Sequence, residues 1–328
     1  MNQIPVMHCF NNNYVIPAAV SFFSMLKNSS KDFEYILYVL HSDIVPENQT
    51  KLQKLVTSFS NAKIEFINVE NKFKDLFTKT KNKAHYSEEI YNKFLAPNMF
   101  KQYDKIIITD VDVVFLGDIS EDFVKFDTNE DFYLSGHAGI GKKSSWVEKY
   151  NKKYTKSFTD EESKKLKTCG GYWIFNLEKM RKDNLEEKFI EFANANYKRL
   201  RQPEQDTVNI ICYPKMKYMR PNALVCTYLY DIFKTESDYT QCTNLAPNVL
   251  KQVLTNPVQL HYATGNKPWL KPGCTKSEIW FEYLAQTDFL KDYLNILEDK
   301  LSKNNKRKDL FKIKIPFSRK KLVMQKET

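Results

Sequence analysis

Buried strands that alternate with helical segments constrain this chain more than any other feature of its sequence. Ile4–Phe10, Phe33–Leu40 and Lys63–Val69 read as apolar strands. Between them lie a helix ending near Lys27 and another from Pro46 to about Phe59, with proline at a first-turn position that tolerates its missing N–H. Strand, helix, strand, helix in this order predicts βαβ units and a mainly parallel sheet flanked by helices. Asp104–Thr109 (DKIIIT), apolar on both faces, predicts a central strand. Further on, the pattern predicts a helix over 86–102, strands Asp131–Ser135 and Gly171–Leu177, a helix from about Glu178 to Tyr197, and a short helix Glu204–Tyr213. A last strand Val258–Tyr262 precedes one long helix, Ile279–Lys300. The expected boundary lies near Gly273–Ser277, separating an α/β body (1–273) from a helical and basic extension (274–328).

The strand DKIIIT runs directly into Asp110-Val111-Asp112. On extended backbone, residues i and i+2 point to the same side, so both carboxylates emerge together at a strand end. In open α/β sheets that end binds ligands. Two carboxylates on an apolar strand are costly unless a cation pairs with them, and a hard divalent ion completed by diphosphate oxygens would be one such cation. A solvated pair of turn acids is the other reading of D-x-D. Near the other end stands His261-Tyr262-Ala263-Thr264-Gly265-Asn266-Lys267-Pro268-Trp269. A neutral imidazole is a common metal ligand, and a lysine beside a rigid Pro-Trp can act on phosphate as a point charge. By itself His261 reads as a satisfied core or loop histidine, and the segment gains weight only beside the paired aspartates.

Eight glycines in 328 residues argue against a Gly-rich cofactor loop. The six cysteines (9, 169, 212, 226, 242, 274) show no zinc-ligand spacing, which suits free thiols in a reducing compartment. No signal peptide or spanning segment is evident, so a cytoplasmic location is expected.

These motifs together resemble the family 8 glycosyltransferases, which include bacterial lipopolysaccharide galactosyl- and glucosyltransferases and, more distantly, glycogenin. The resemblance rests on Asp110-x-Asp112, Glu204-Gln205-Asp206 followed by TVN, and His261…Lys267-Pro268-Trp269. The opening strand with NNNY and PAAVSFFSMLKNS, then YNKFLAPNMFKQYDKIIITDVDVV and GGYWIFNLEKM, extend it over residues 3–272. It implies a GT-A (Rossmann-like) fold and retaining transfer of galactose or glucose from a UDP-hexose to a saccharide or glycolipid acceptor, with Mn²⁺ or Mg²⁺. It further implies Asp110, Asp112 and His261 as metal ligands, Lys267 and Gly265 at the diphosphate, and Gln205 near the anomeric carbon. Glu204 and Asp206 would orient sugar hydroxyls, helix capping being their structural alternative. Asn11, Asn13 and Tyr14 would hold the uridine, and Lys93 would face the donor.

Several positions depart from the family pattern. Asn11 replaces a frequent Asp, Lys93 a usual Arg, Cys169-Gly170-Gly171 an Asn-x-Gly, and Gly136-His137-Ala138 a sugar-reading Asp. The resemblance therefore leaves the hexose open, and a catalytically inactive relative is an alternative.

Charge distribution adds one expectation that is independent of the family. From 300 to 328, eleven Lys/Arg face two acids, so this stretch carries +9 of the chain's +10. Leu310, Phe311, Ile313, Ile315, Phe317, Leu322, Val323 and Met324 are interleaved among the cations. Cations plus inserting apolar residues predict a peripheral anchor on an anionic membrane surface, with a disordered solubilising tail as the alternative. A nucleic-acid-binding protein is disfavoured, because the body is nearly neutral and shows no recognition fold.

Overall fold

The computed structural model describes residues 2–80, 87–139, 156–235, 238 and 245–308. Strands β1 (Asn2–Cys9), β2 (Phe33–His41) and β3 (Ala62–Asn68) alternate with helices α1 (Val15–Lys27) and α2 (Pro46–Thr57). The later strands are β4 (Lys105–Thr109), β5 (Val113–Phe115), β6 (Leu134–Ala138), β7 (Thr168–Asn176), β8 (Met216–Tyr218), β9 (Val225–Cys226) and β10 (Gln259–His261). Seven of them form one sheet in the order β3-β2-β1-β4-β7-β6-β8, and β5-β10-β9 form a small second sheet. Pairing is parallel from β3 through β4, antiparallel on both sides of β7, and parallel again between β6 and β8. This is the expected mixed, mainly parallel sheet.

The period-two alternation of strands divides the apolar residues between the sheet's faces. Ile4, Val6, Tyr35, Leu37, Val39, Ile107 and Ile174 join α1 in one buried cluster. Met7, Ile36, Tyr38, Leu40, Ile106, Ile108 and Phe175 join the helices on the opposite face. The two faces together account for the near-continuous apolar runs in the sequence.

Three helical expectations are revised. Over 86–102 the chain forms a 3₁₀ stretch, Glu88–Leu95, and one α turn, Ala96–Met99. Pro97 has no N–H for the ladder at this junction, which prevents one continuous α-helix. The helix expected from 178 to 197 is two helices, α3 (Leu177–Lys182) and α4 (Leu185–Asn196). They part at Asn184, whose φ of 54° is left-handed, a conformation that asparagine tolerates better than most residues. After α5 (Pro203–Cys212), the expected long C-terminal helix is also two: α6 (Ser277–Leu284) and α7 (Phe289–Lys308).

The seam expected at 273 does not divide two cores. Trp280, Leu284, Phe289 and Tyr293 enter the same buried cluster as β1 and α1. Their indole and phenyl surfaces need that cluster to leave water, so 277–293 packs as part of the body. Residues 309–328, which hold six of the tail's eleven cations, lie outside the described residues. No helix among the described residues is long and apolar enough to cross a membrane.

His8 on β1 is fully buried, with its ring 4.7 Å from that of Phe22. Burial pushes its pKa down to about 3, opposed by the Thr109 backbone. The unfolded chain therefore binds a proton below about pH 6.5 that the folded chain refuses, and stability falls as pH drops through that window. The expected loss from His8 alone is about 3 kcal/mol between pH 7 and 4. Denaturant unfolding of His8→Leu should show a flatter acid slope than the parent, and equal slopes would contradict this account.

Candidate functional site

The site is built where three strands end. β4 delivers Asp110, whose N–H donates to Gly171 O at 3.2 Å, and the chain turns through Asp112 into β5. β5 pairs antiparallel with β10, placing His261 opposite Val113, and Tyr262 N–H donates to Asp112 O at 2.9 Å. This pairing brings together groups about 150 positions apart. His261 Nε2 lies 3.2 Å from Asp112 Oδ1 and 3.6 Å from Asp110 Oδ2. One ligand atom from each of Asp110, Asp112 and His261 falls within 4.8 Å of the others. Two carboxylates and an imidazole converging this closely could hold a divalent cation.

The electrostatics are strongly coupled. Burial alone would lower the His261 pKa, but the Asp112 carboxylate outweighs it and holds the imidazole well above its usual value. Burial would raise the Asp112 carboxyl; Lys267 and His261 override it and hold Asp112 well below the carboxylate range. Lys267 Nζ donates to Asp112 Oδ2 and, at 2.5 Å, to Tyr262 O. Lys93 Nζ donates to Asp110 Oδ1 at 2.7 Å, Gly170 O at 3.0 Å and Glu204 Oε1 at 3.4 Å. The counter-charge that a half-buried carboxylate pair requires is thus supplied from within the chain, by two lysines.

Lys93 stands behind the cleft lining. It was expected to face a donor; it is 2% exposed and braces the site from behind, over the Trp173 ring at 5.4 Å. Burial disfavours its charge, but Asp110 and Glu204 together keep its pKa raised. Asp206 takes the helix-start role given above as its structural alternative. It is buried, and its Oδ2 accepts the backbone N–H groups of Arg201 at 2.7 Å and Gln202 at 3.0 Å. It fastens the start of α5 and does not line the cleft.

Glu204 and Gln205 do line the cleft, with Asp110, Asp112, His261 and Lys267. Gln205 Oε1 accepts Gly170 N–H at 2.6 Å, and its Nε2 donates to Gln202 Oε1. Burial raises the Glu204 carboxyl, offset in part by Lys93. Its Oε2 has no partner among the described residues. The two glycines of β7 permit this closeness. A Cβ on Gly171 would sit 2.6 Å from His261 Cε1 and 2.8 Å from its Nδ1, and one on Gly170 would sit 3.2 Å from Glu204 Oε1.

Tyr14 lines the same cleft, its ring edge-on to Trp269 at 5.9 Å. Burial first, then Asp112 and Asp110, push its phenol up to about 12. Asn11 and Asn13 are not among the lining residues: Asn11 Oδ1 accepts Asn13 N–H at 3.1 Å and caps the short turn that presents Tyr14. Gly265 lies in the loop joining His261 to Lys267. His137 is buried with Nε2 2.9 Å from Pro221 O and is absent from the cleft lining, whereas Cys169 lies in that lining. Cys169 and Cys226 both help to raise the His261 pKa, and Cys226 stands opposite His261 in the β9–β10 pairing. The five described cysteines are unbonded. Sequence reasoning missed Gln202 and Cys226. Gln202 carries no signal beyond preceding Pro203, and Cys226 reaches His261 only through the β9–β10 pairing.

The description Glycosyl transferase family 8 matches residues 5–273. The chain belongs to that family. General stress protein A of Bacillus subtilis (strain 168) is 25% identical over 276 residues, covering 82% of this chain and 89% of its own length. A putative glycosyltransferase of Haemophilus influenzae is 26% identical over 263 residues, covering 80% of this chain and 72% of its own. The bifunctional glycosyltransferase WbbM, in its apo structure, matches with a TM-score of 0.67 at 19% identity over 90% of this chain. The family 8 chain spans about half of that protein, 51% of its length. The galactosyltransferase LgtC, solved with donor and acceptor sugar analogues, matches with a TM-score of 0.64 at 16% identity over 87% of this chain and 96% of its own. The structural likenesses establish the GT-A fold, and family membership supports glycosyltransferase activity.

Proposed function

We propose that this family 8 protein is a retaining glycosyltransferase that moves a hexose, galactose or glucose, from a UDP-sugar to a saccharide or glycolipid acceptor with a divalent ion bound at Asp110, Asp112 and His261. The observation that carries the reading is the convergence of those three groups with Lys267, Glu204 and Gln205 on one cleft. A divalent ion held there supplies Lewis-acid neutralisation of the leaving diphosphate. Lys267 adds a point charge from the loop beside it. The Gln205 amide, oriented by Gly170 and Gln202, fixes the sugar near its anomeric carbon. Glu204, which also lines the cleft, orients a sugar hydroxyl. An amide is a poor nucleophile, and Lys93 pins the neighbouring carboxylate. Retention then follows from same-face attack. The C1–O bond to the diphosphate breaks, a C1–O bond to the acceptor forms on the same face, and the acceptor proton passes to the departing phosphate oxygen.

UDP release from a panel of UDP-sugars, with Mn²⁺ and with EDTA, tests this. Release from one UDP-hexose, lost in EDTA, is expected. No release from any of them would favour a binding-only relative, and full release in EDTA would remove the metal from the account.

We propose also that the basic stretch 300–328 docks the enzyme on anionic membrane. Each engaged Lys or Arg contributes about 1 kcal/mol, screened over about 8 Å at physiological salt. Flotation with anionic vesicles is expected to weaken with salt, with a remainder from Phe311, Ile313, Ile315 and Phe317. Truncation after Leu297 keeps Phe289 and Tyr293 in the core and should release the enzyme while retaining UDP release. A truncated protein that still floats would contradict the anchor.

A further inference from the structure

The four carboxylate oxygens of Asp110 and Asp112 have two kinds of neighbour. The inner oxygens, Asp110 Oδ2 and Asp112 Oδ1, face His261 Nε2 at 3.6 and 3.2 Å. The outer oxygens face ammonium groups: Asp110 Oδ1 meets Lys93 at 2.7 Å, and Asp112 Oδ2 meets Lys267. Two ammonium charges therefore cancel the two carboxylate charges at the place proposed for the metal. A divalent cation drawn to these carboxylates is repelled by the cations already bonded to them.

The two lysines are held differently. Lys93 is fixed behind the site by oxygens from Asp110, Gly170 and Glu204, and it does not line the cleft. Lys267 comes from a loop, does line the cleft, and has the Asp112 carboxylate as its charged partner beside the neutral Tyr262 carbonyl. A ligand entering the cleft can compete for Lys267 but meets no competing access to Lys93.

We infer that Lys267 exchanges partners, leaving Asp112 for an incoming nucleoside diphosphate, and that this exchange makes divalent cation and diphosphate bind cooperatively rather than the cation alone. The inference rests on the reading of Asp110, Asp112 and His261 as the metal set. With Lys267 on Asp112, a free cation meets a neutralised carboxylate pair. A diphosphate offers the ammonium an anionic partner, and its departure restores the charge of Asp112 as the cation arrives. Each ligand then raises the affinity of the other by the same factor, as linkage requires.

The consequence for mutation is opposite to that of losing an ordinary binding residue. Lys267→Met should bind free Mn²⁺ about tenfold more tightly, the size of one charge-assisted contact, and lose the enhancement by UDP. Mn²⁺ titrations of the full chain, followed by the electron paramagnetic resonance signal of the free ion with and without UDP, read both quantities directly. In the parent protein UDP should tighten Mn²⁺ by at least about tenfold. Lys267→Arg should retain that coupling. Lys267→Gln, which keeps an N–H donor for Tyr262 O, should show both signs of the Met variant and decides the question if the Met variant fails to fold. Charge-removed variants that bind free Mn²⁺ no tighter than the parent, or that keep its full UDP enhancement, overturn the exchange. A parent protein that binds neither Mn²⁺ nor UDP overturns the metal-site reading as well, so the two failures are distinguishable.

Discussion

Asp110→Asn and Asp112→Asn are each expected to lower UDP release about a thousandfold or more, the scale of the several kcal/mol that a Lewis acid contributes to charge neutralisation. The two should differ in stability. Asp112 is the charged partner of Lys267 and also faces His261, so its neutralisation leaves a buried ammonium without a counter-ion. Asp110 is more exposed, and without its charge Lys93 retains Glu204 and Gly170 O. Thermal unfolding should therefore fall further for Asp112→Asn than for Asp110→Asn. The carboxylate pair is not an uncompensated strain relieved by mutation, because its counter-charges are built in. Turnover within tenfold of the parent in either variant would contradict the assignment.

Trp280→Ala is expected to cost about 3–5 kcal/mol, the range for a large aromatic removed from a packed core. Trp280 is fully buried, with ring centroids 5.7 Å from Trp269 and from Tyr293 and 5.1 Å from Phe281. Trp269 in turn touches Tyr14 and lies beneath the Lys267 ammonium, 5.8 Å from it. The cavity left by the indole would loosen the loop that carries Lys267, so a raised donor KM should accompany the lost stability. Denaturant unfolding and donor kinetics on the same variant check both. Unchanged stability would show that α6 and α7 are an appendage and not part of the core.

The strands and the first two helices were legible because each face of the sheet is buried, and period-two apolar runs report that directly. DKIIIT illustrates it: Ile107 faces one cluster and its neighbours Ile106 and Ile108 the other. The helix breaks were not legible. Asn184 and Pro97 disrupt ladders inside apolar periodicity that continues on both sides of them, and the pattern alone reads through. At the site, Asp110, Asp112, His261, Lys267, Glu204 and Gln205 were named because their types and order match a family pattern, and the fold brings them to one cleft. The partner choices of the lysines were hidden. Lys93 occupies a position where an arginine was expected to point into the cleft, but the bonds to Asp110, Gly170 and Glu204 come from three distant segments. Asp206 likewise reads as catalytic beside Glu204, and only the folded loop shows its carboxylate capturing the N–H groups of Arg201 and Gln202.

The central claim is that Asp110, Asp112 and His261 hold a divalent ion against a nucleotide diphosphate. Crystals grown with Mn²⁺ and UDP, measured on both sides of the manganese absorption edge, test it most directly. The account predicts one anomalous peak bonded to Asp110, Asp112 and His261, with diphosphate oxygens completing its shell and Lys267 moved from Asp112 onto the diphosphate. UDP bound in the cleft with no peak at those three residues, or with manganese held elsewhere, would contradict it.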